Sequence, residues 1–342
     1  MDRANATHGR PLRRAAVVLA AALMGCAVLA DRAAAVDHID GISDQHLGGW
    51  AGDFAGAPAL NAPFPGSFAG GWAGGPLSRI RLSRYVVQWD VMDGAGYPDE
   101  LANLEGWYAQ TLALGLTPEL ALANYDCAGC AAPATSADYT AALQAIGERF
   151  PAIAVYEAWN EPNLPGSFFV SPVIAASLAN ITYAYCAVRG CTAPAGDLSD
   201  AAPGFATYMR AYERALDPHD PDQWAIHLYR AVKDESLRTF ELVRSLLPHP
   251  DSDHVWLTEL GAYYCEFGRL RGAAAQERSA GFLVHTLIPA ADPVHAFYFQ
   301  GVWPFGERPP CEAGTQDTAL YAAGHDGGPP LARPAAALVL GG

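Results

Sequence analysis

The sequence predicts an α/β protein built as a single (β/α)8 TIM barrel. Three observations point there. Short runs rich in Val, Ile, Leu and Tyr alternate with amphipathic stretches of helical length, the pattern of repeated β-α units around a parallel sheet. No Ser/Gly linker and no repeat of solenoid period divides the chain after its first 35 residues. Eight strand-like runs occupy about three hundred residues, the size of a closed barrel. An open doubly wound sheet is the alternative, but no G-x-G-x-x-G follows an early strand to make a dinucleotide site.

The first 35 residues read as a secretory signal outside the fold. Arg3, Arg10, Arg13 and Arg14 precede an uncharged run from Ala15 to Ala30, and Asp31-Arg32 with the small residues Ala33-Ala34-Ala35 follow. A basic head, a short apolar body and an A-x-A exit describe export, and the run is too short for a membrane span. Cleavage near Ala35 is expected. The alternative takes Leu23-Met24-Gly25-Cys26 as a loose lipobox with Cys26 as a lipid anchor, although Met24 fits that pattern poorly. The exported chain, residues 36–342, is expected to be secreted and to work as a monomer.

Within it the strands are expected at Ile39 to Ser43, Arg81 to Gln88, Thr117 to Ala123, Ala152 to Trp159, Cys191 to Gly196, Gln223 to Leu228, His254 to Thr258 and Val294 to Phe299. Helical patterns fall between most of them, at Leu101 to Leu114, Ser136 to Arg149, Val173 to Val188, Phe205 to Leu216, Ser236 to Leu246 and Gln276 to Ile288, with Arg333 to Leu340 closing the chain. The Gly/Pro-rich passage from Ala51 to Pro76 reads as a long loop.

Seven cysteines become six once Cys26 is set aside, and they fall in pairs: Cys127 with Cys130, Cys186 with Cys191, and Cys265 with Cys311. In an exported chain this reads as three disulfides, although spacing alone permits fifteen connectivities. A zinc or redox role for C-A-G-C would need a second ligand pair or a thioredoxin-like context, and neither is visible. The chain's net charge is −15; its first 35 residues contribute +3, so the remainder carries −18. Such a body repels phosphate backbones and anionic membranes, which argues against nucleic acid as a partner.

The chemistry concentrates at two strand ends. Ala154-Val155-Tyr156 leads out to Glu161, and Val255-Trp256-Leu257 leads out to Glu259. In a barrel both ends open on one mouth, so two carboxylates converge there. Hydrolysis of a glycosidic bond needs such a pair, one protonated to assist the leaving oxygen and one ionised to attack the sugar carbon. Pro162 fixes the turn after Glu161.

The strings Trp159-Asn160-Glu161-Pro162-Asn163 and Trp256-Leu257-Thr258-Glu259-Leu260-Gly261 resemble the two signature segments of the clan A glycoside hydrolases, retaining (β/α)8 enzymes with catalytic glutamates after strands four and seven. The resemblance spans the chain from about Val36 onward. It implies Glu161 as general acid/base, Glu259 as nucleophile and Asn160 as a hydrogen-bond donor to the neighbouring sugar hydroxyl. It also implies Arg84 as the arginine that keeps the nucleophile ionised, and His227 and Tyr229 as the sixth-strand pair that meets substrate and nucleophile. Trp303 or Tyr298 would supply the aromatic face for a sugar ring. Where the clan often carries an aromatic after the nucleophile this chain has Leu260-Gly261, which bears on substrate range.

The implied activity is hydrolysis of O-glycosidic bonds in an oligo- or polysaccharide, with retention and with no metal or cofactor. Two alternatives share the residues: a carbohydrate-binding or cell-surface barrel without catalysis, and a transglycosylase in which a sugar replaces water. Asp44, Gln45, Asn124, Asp126 and Asp197 follow other strands but read as structural or solvated. His219, His249 and His254 lack ligand spacing, no H-E-x-x-H occurs, and no G-x-S-x-G elbow supports a serine hydrolase.

Overall fold

The computed structural model describes residues 36, 38–43, 79–93, 100–124, 135–166, 169–216, 220–299, 302–303, 311, 316–322 and 331–341. The expected leader with Cys26, the Ala51 to Pro76 passage, Asp44, Gln45, Asp126, His219 and the Cys127/Cys130 pair lie outside the described residues.

Eight strands form one sheet: β1 (Gly41–Ser43), β2 (Leu82–Gln88), β3 (Thr117–Ala123), β4 (Val155–Glu157), β5 (Ala195–Ser199), β6 (Gln223–His227), β7 (His254–Leu260) and β8 (His295–Phe299). Every neighbouring pair is parallel, in the order β4-β3-β2-β1-β8-β7-β6-β5. The two ends of that order nearly meet. Tyr156 N–H donates to Thr192 O at 2.9 Å and Thr192 N–H to Ala154 O at 2.9 Å, a parallel bridge that closes the wall between β4 and the approach to β5. The chain is a (β/α)8 barrel.

Among the described residues helices follow each strand from β2 onward, two of them after β6: α1 (Glu100–Ala113), α2 (Ser136–Arg149), α3 (Pro172–Arg189), α4 (Phe205–Ala215), α5 (Tyr229–Lys233), α6 (Arg238–Leu246), α7 (Ala273–Phe282) and α8 (Pro334–Gly341). Local chemistry sets their ends. Thr135 and Asp138 exchange hydrogen bonds as a capping box at the start of α2. Ser171 caps α3, Pro172 opens it, and Gly190 at φ 77° ends it. On α4 the buried Phe205, Tyr208, Met209 and Tyr212 make a single stripe against the sheet.

Several boundaries differ from those expected. The fourth strand is only three residues long, because the chain turns out at Ala158 to build the rim. The fifth begins at Ala195, since Cys191 is held by a disulfide to Cys186 at the end of α3 and Thr192 only touches the wall. Helix α7 starts earlier, at Ala273, and continues through a π-helical turn, Leu283–Leu287, into Ile288–Ala291. The second expected bond, Cys265 to Cys311, is also present. Among the described residues no helix is long and apolar enough to cross a membrane.

The barrel interior is layered by the two-residue alternation of its strands. At the amino-terminal end Leu82, Val155, Ala225, Trp256, Val294 and Phe297 pack into an apolar plug. Phe297 lies so close to β1 that any Cβ on Gly41 would collide with its ring, which explains the glycine there. Two residues further along the same strands come Arg84 on β2 and Glu157 on β4, and Glu119 on β3 joins that level. Above them Val86, Ala121 and Ala123 form a third, small apolar group. A charged layer thus sits between the plug and the mouth.

Candidate active site

Arg84 is the hub of the charged layer. Its guanidinium, fully buried, donates to Glu157 at 2.6 Å, Asp197 at 2.8 Å, Glu259 at 2.5 Å, Asn160 Oδ1 at 2.9 Å and Ser43 Oγ at 3.0 Å, with Glu119 at 3.7 Å. Burial disfavours its charge, but Asp197, Glu157, Glu259 and Glu119 outweigh that and hold it above its ordinary range. Removing the cation would strand four carboxyl groups in a dry interior.

His227, at the end of β6, is the second cation. Its Nε2 lies 2.6 Å from Asp197 and its Nδ1 3.1 Å from Glu161. Burial would lower the imidazole, yet Glu259 and Asp197 hold it well above its ordinary value, which favours a proton on each ring nitrogen toward its carboxylate. Asp197 is pinned from both sides: burial would raise its carboxyl, but Arg84 and His227 bring it down to about 2. Thr258 Oγ1 donates to the same carboxylate at 3.0 Å.

Two irregularities aim these groups. Between β5 and β6 the register slips at Asp197, which sits at φ 57° after Gly196 at φ 98°. Between β6 and β7 it slips again, so that Ala225 pairs with Trp256 but His227 with Glu259. Strict alternation from an inward Trp256 would turn Glu259 outward. The bulge brings it back to the interior beside Thr258. There one Glu259 oxygen takes Arg84, while the other accepts Tyr229 Oη–H at 2.8 Å. Burial chiefly, and Glu259 next, raise the Tyr229 phenol well above its ordinary value, so it remains a donor. Tyr229 is placed by helix α5, whose Arg230 and Ala231 N–H groups are capped by Asp200 at 2.8 and 2.9 Å. Burial pushes Asp200 up to about 7 against those bonds.

The stretch after β4 is stitched into both neighbouring strands. Asn160 N–H donates to Leu122 O, Glu161 N–H to Asp197 O, and the Asn163 amide exchanges two bonds with the Ser199 backbone at 2.8 and 3.0 Å. Trp159 is buried beneath it. Glu161 occupies the left-handed region at φ 47°, a strained setting for a glutamate, and its side chain is partly open to the mouth. Because Arg84 takes Asn160 Oδ1, the Asn160 amide presents its NH2 group as a donor.

Glu161, His227 and Glu259 each bring one side-chain atom within 4.8 Å of the other two. The two glutamates border a cavity of about 250 Å³ whose wall includes Asn160, Tyr229, Tyr263 and Phe299. The same three residues are a geometric candidate for a metal, but the donor set does not fit one. Each ring nitrogen of His227 already faces a carboxylate, and Glu259 already has Arg84 on one oxygen and Tyr229 on the other.

The structure therefore brings together Glu161, Glu259, Asn160, Arg84, His227 and Tyr229. Tyr298 does not join them, which corrects one expectation: it is fully buried, donates to Thr318 O at 2.8 Å and accepts from Ala262 N–H, so it has no ring face to offer. Its neighbour Phe299, on the opposite side of the strand, borders the cavity and packs on Tyr229. The backbone of Trp303 forms a short strand with Val302, but its side chain lies outside the described residues. Glu119, Glu157 and Asp200 escaped sequence reasoning. A signal for the first two existed, since each is a lone charge inside an apolar strand. Burial raises Glu119 to about 7 despite Arg84, and raises Glu157 well above the ordinary range.

No family model matches the chain, and no curated protein matches it in sequence. Solved structures do resemble it in fold. A β-glucosidase from Thermotoga maritima in complex with deoxynojirimycin superposes with a TM-score of 0.50 at 11% identity, over 75% of this chain and 81% of that one. The virulence factor SghA from Agrobacterium tumefaciens gives 0.48 at 14% identity, over 77% and 83%. A curdlan-specific exo-β-1,3-glucanase of family GH128 from Blastomyces gilchristii gives 0.44 at 17%, over 67% and 83%.

Proposed function

We propose that this chain is a retaining glycoside hydrolase that cleaves O-glycosidic bonds by double displacement. The observation that carries the reading is the pairing of Glu161 with Glu259, which place oxygens within 4.8 Å of each other across one small cavity. Retaining enzymes hold their carboxyl groups about 5–5.5 Å apart, whereas inverting enzymes leave roughly 6.5–9.5 Å for a water. The β-glucosidase likeness supports a sugar-cleaving barrel in fold alone.

In the first step Glu259 bonds to the anomeric carbon while Glu161 gives its proton to the departing oxygen. Arg84 and Tyr229 hold the attacking carboxylate as an oriented anion. In the second step Glu161 takes a proton from water, whose oxygen displaces Glu259 and leaves the sugar with its original configuration. His227 orients the Glu161 carboxyl through Nδ1, and the Asn160 amide NH2 is placed to meet a hydroxyl beside the reacting carbon. Two disulfides support a site of action outside the reducing cytoplasm, with residues 1–35 as the export signal and the substrate a carbohydrate met there.

Incubation with a panel of sugar epoxides and aziridines, followed by mass mapping, tests the reading. Label is expected on Glu259 and is lost in Glu259→Gln. Label on another residue, or product of inverted configuration by NMR, would overturn it.

A further inference from the structure

The β7 end carries a feature that the two-step chemistry does not use. Cys265–Glu266 pairs antiparallel with Arg269–Leu270, leaving Phe267-Gly268 as a two-residue turn. Both turn residues have positive φ, 43° and 89°, the arrangement that ordinarily selects Asn-Gly. A phenylalanine there is strained, and the residue is 61% exposed, so packing does not repay the strain. Single exposed apolar residues are common on protein surfaces. This one differs in its position and in the rigidity of its mount.

The ring borders the cavity that holds Glu161 and Glu259. It stands 6.4 Å from Tyr263, whose ring stands 5.9 Å from that of Tyr229, the donor to Glu259. Three aromatic rings thus run from the attacking carboxylate to the rim. The turn is also braced. Cys265 is bonded to Cys311, Glu266 meets Lys233 and Arg271 at 3.1 Å each, and Gln316–Asp317 adds a third strand. Meanwhile the cavity, at about 250 Å³, is smaller than the roughly 300–1,000 Å³ of pockets that enclose a drug-sized ligand. It has room for one ring at the carboxylates, so a second ring must lie across the rim.

We propose that Phe267 is the stacking platform for that second ring, a pyranose joined to the one attacked by Glu259, and that it selects di- and oligosaccharides over glycosides with a small leaving group. An aromatic face offers a large apolar area to the C–H face of a pyranose without demanding a particular hydroxyl pattern. The strained turn would then exist to hold the ring upright at the edge of the site. This inference rests on the glycosidase reading.

The test compares kcat/KM for a one-ring glycosyl fluoride and for the matching disaccharide, using the sugar whose epoxide labels Glu259. In Phe267→Ala the disaccharide-to-fluoride ratio is expected to fall roughly five- to tenfold, the size of one lost aromatic contact, chiefly through KM. Phe267→Trp should keep the ratio. Phe267→Gly, which relaxes the turn, should lose it as Ala does while melting no lower than the parent. An unchanged ratio in Phe267→Ala, or equal loss in Phe267→Trp, overturns the platform. Loss confined to aryl glycosides would overturn the second pyranose in favour of an aromatic leaving group. If the unmodified protein turns over neither substrate and takes no label, the glycosidase reading fails and this inference with it; if it turns over both with the ratio unmoved, this inference alone fails.

Discussion

The ends of β4 and β7 each deliver a glutamate to the same cavity, yet they hold it in opposite ways. Glu259 is still within its strand, re-aimed by a bulge and clamped by a guanidinium on one oxygen and a phenol on the other. Glu161 has left its strand, sits on a strained turn, and has one side-chain hydrogen-bond partner among the described residues, the imidazole of His227. A carboxylate that must stay ionised is well served by fixed donors on both oxygens. One that must gain and lose a proton needs access to the mouth, and its backbone rather than its side chain is what the fold restrains.

The sharpest way to break this comparison is to neutralise each glutamate in turn. Glu259→Gln should abolish turnover of every glycoside, because no bond to the sugar carbon can form. Glu161→Gln should cost roughly 10²–10⁴-fold on substrates whose leaving oxygen needs a proton, and far less on a glycosyl fluoride. Steady-state kinetics on both substrate types reads the contrast, and equal losses in the two variants would erase the distinction between the strand ends.

A smaller effect should follow Tyr229→Phe, which removes one of the two clamps on Glu259 and leaves the ring stack in place. A hydrogen bond to a charged group is worth about 1.5–3 kcal/mol, so kcat/KM should fall on the order of ten- to a hundredfold. The loss should be alike for fluoride and alkyl substrates, since it acts on the β7 end alone. A loss confined to alkyl substrates would reassign Tyr229 to the β4 end.

The smallest effect is on stability and probes buried carboxyl groups, one in the charged layer beneath both ends and two at the starts of helices α1 and α5. Glu119, Asp200 and Glu100 are each raised from their ordinary values to about 7, chiefly by burial. Such groups bind more protons folded than unfolded, so the native state loses stability as pH rises from about 4 to about 7. His227, raised by Glu259 and Asp197 against burial, adds stability below its unfolded value of about 6.5 that is lost as pH rises through its higher folded value. Asp197 has the opposite sign, and its contribution disappears only as pH falls toward about 2. The melting temperature should therefore peak in mild acid. Glu119→Gln should flatten the decline between pH 4 and 7, and a profile that rises over that range would contradict the assignment.

Much of this was legible in the sequence. Alternating apolar runs and helical stripes need only local periodicity, and they placed all eight strands, even where the ends moved by several residues at β4 and β5. The strings around Glu161 and Glu259 carried the pair because both glutamates follow apolar strands in a repeating β-α order. Tyr298 was misjudged because adjacent strand residues face opposite ways, and nothing in Phe297-Tyr298-Phe299 says which one faces the cavity.

By itself, then, the chain's order of residues determined the barrel and pointed to the two glutamates that meet at its mouth, since both readings rest on patterns a few residues long. Tertiary structure alone decided which way the side chains face. The slips at Asp197 and Glu259 are set by pairing with β6, a partner distant in sequence, and each re-aims a side chain. The same holds for the charge balance: Arg84, Glu119, Glu157 and Asp197 come from four strands, and only closure of the barrel makes them neighbours in a medium dry enough for their interaction to be strong.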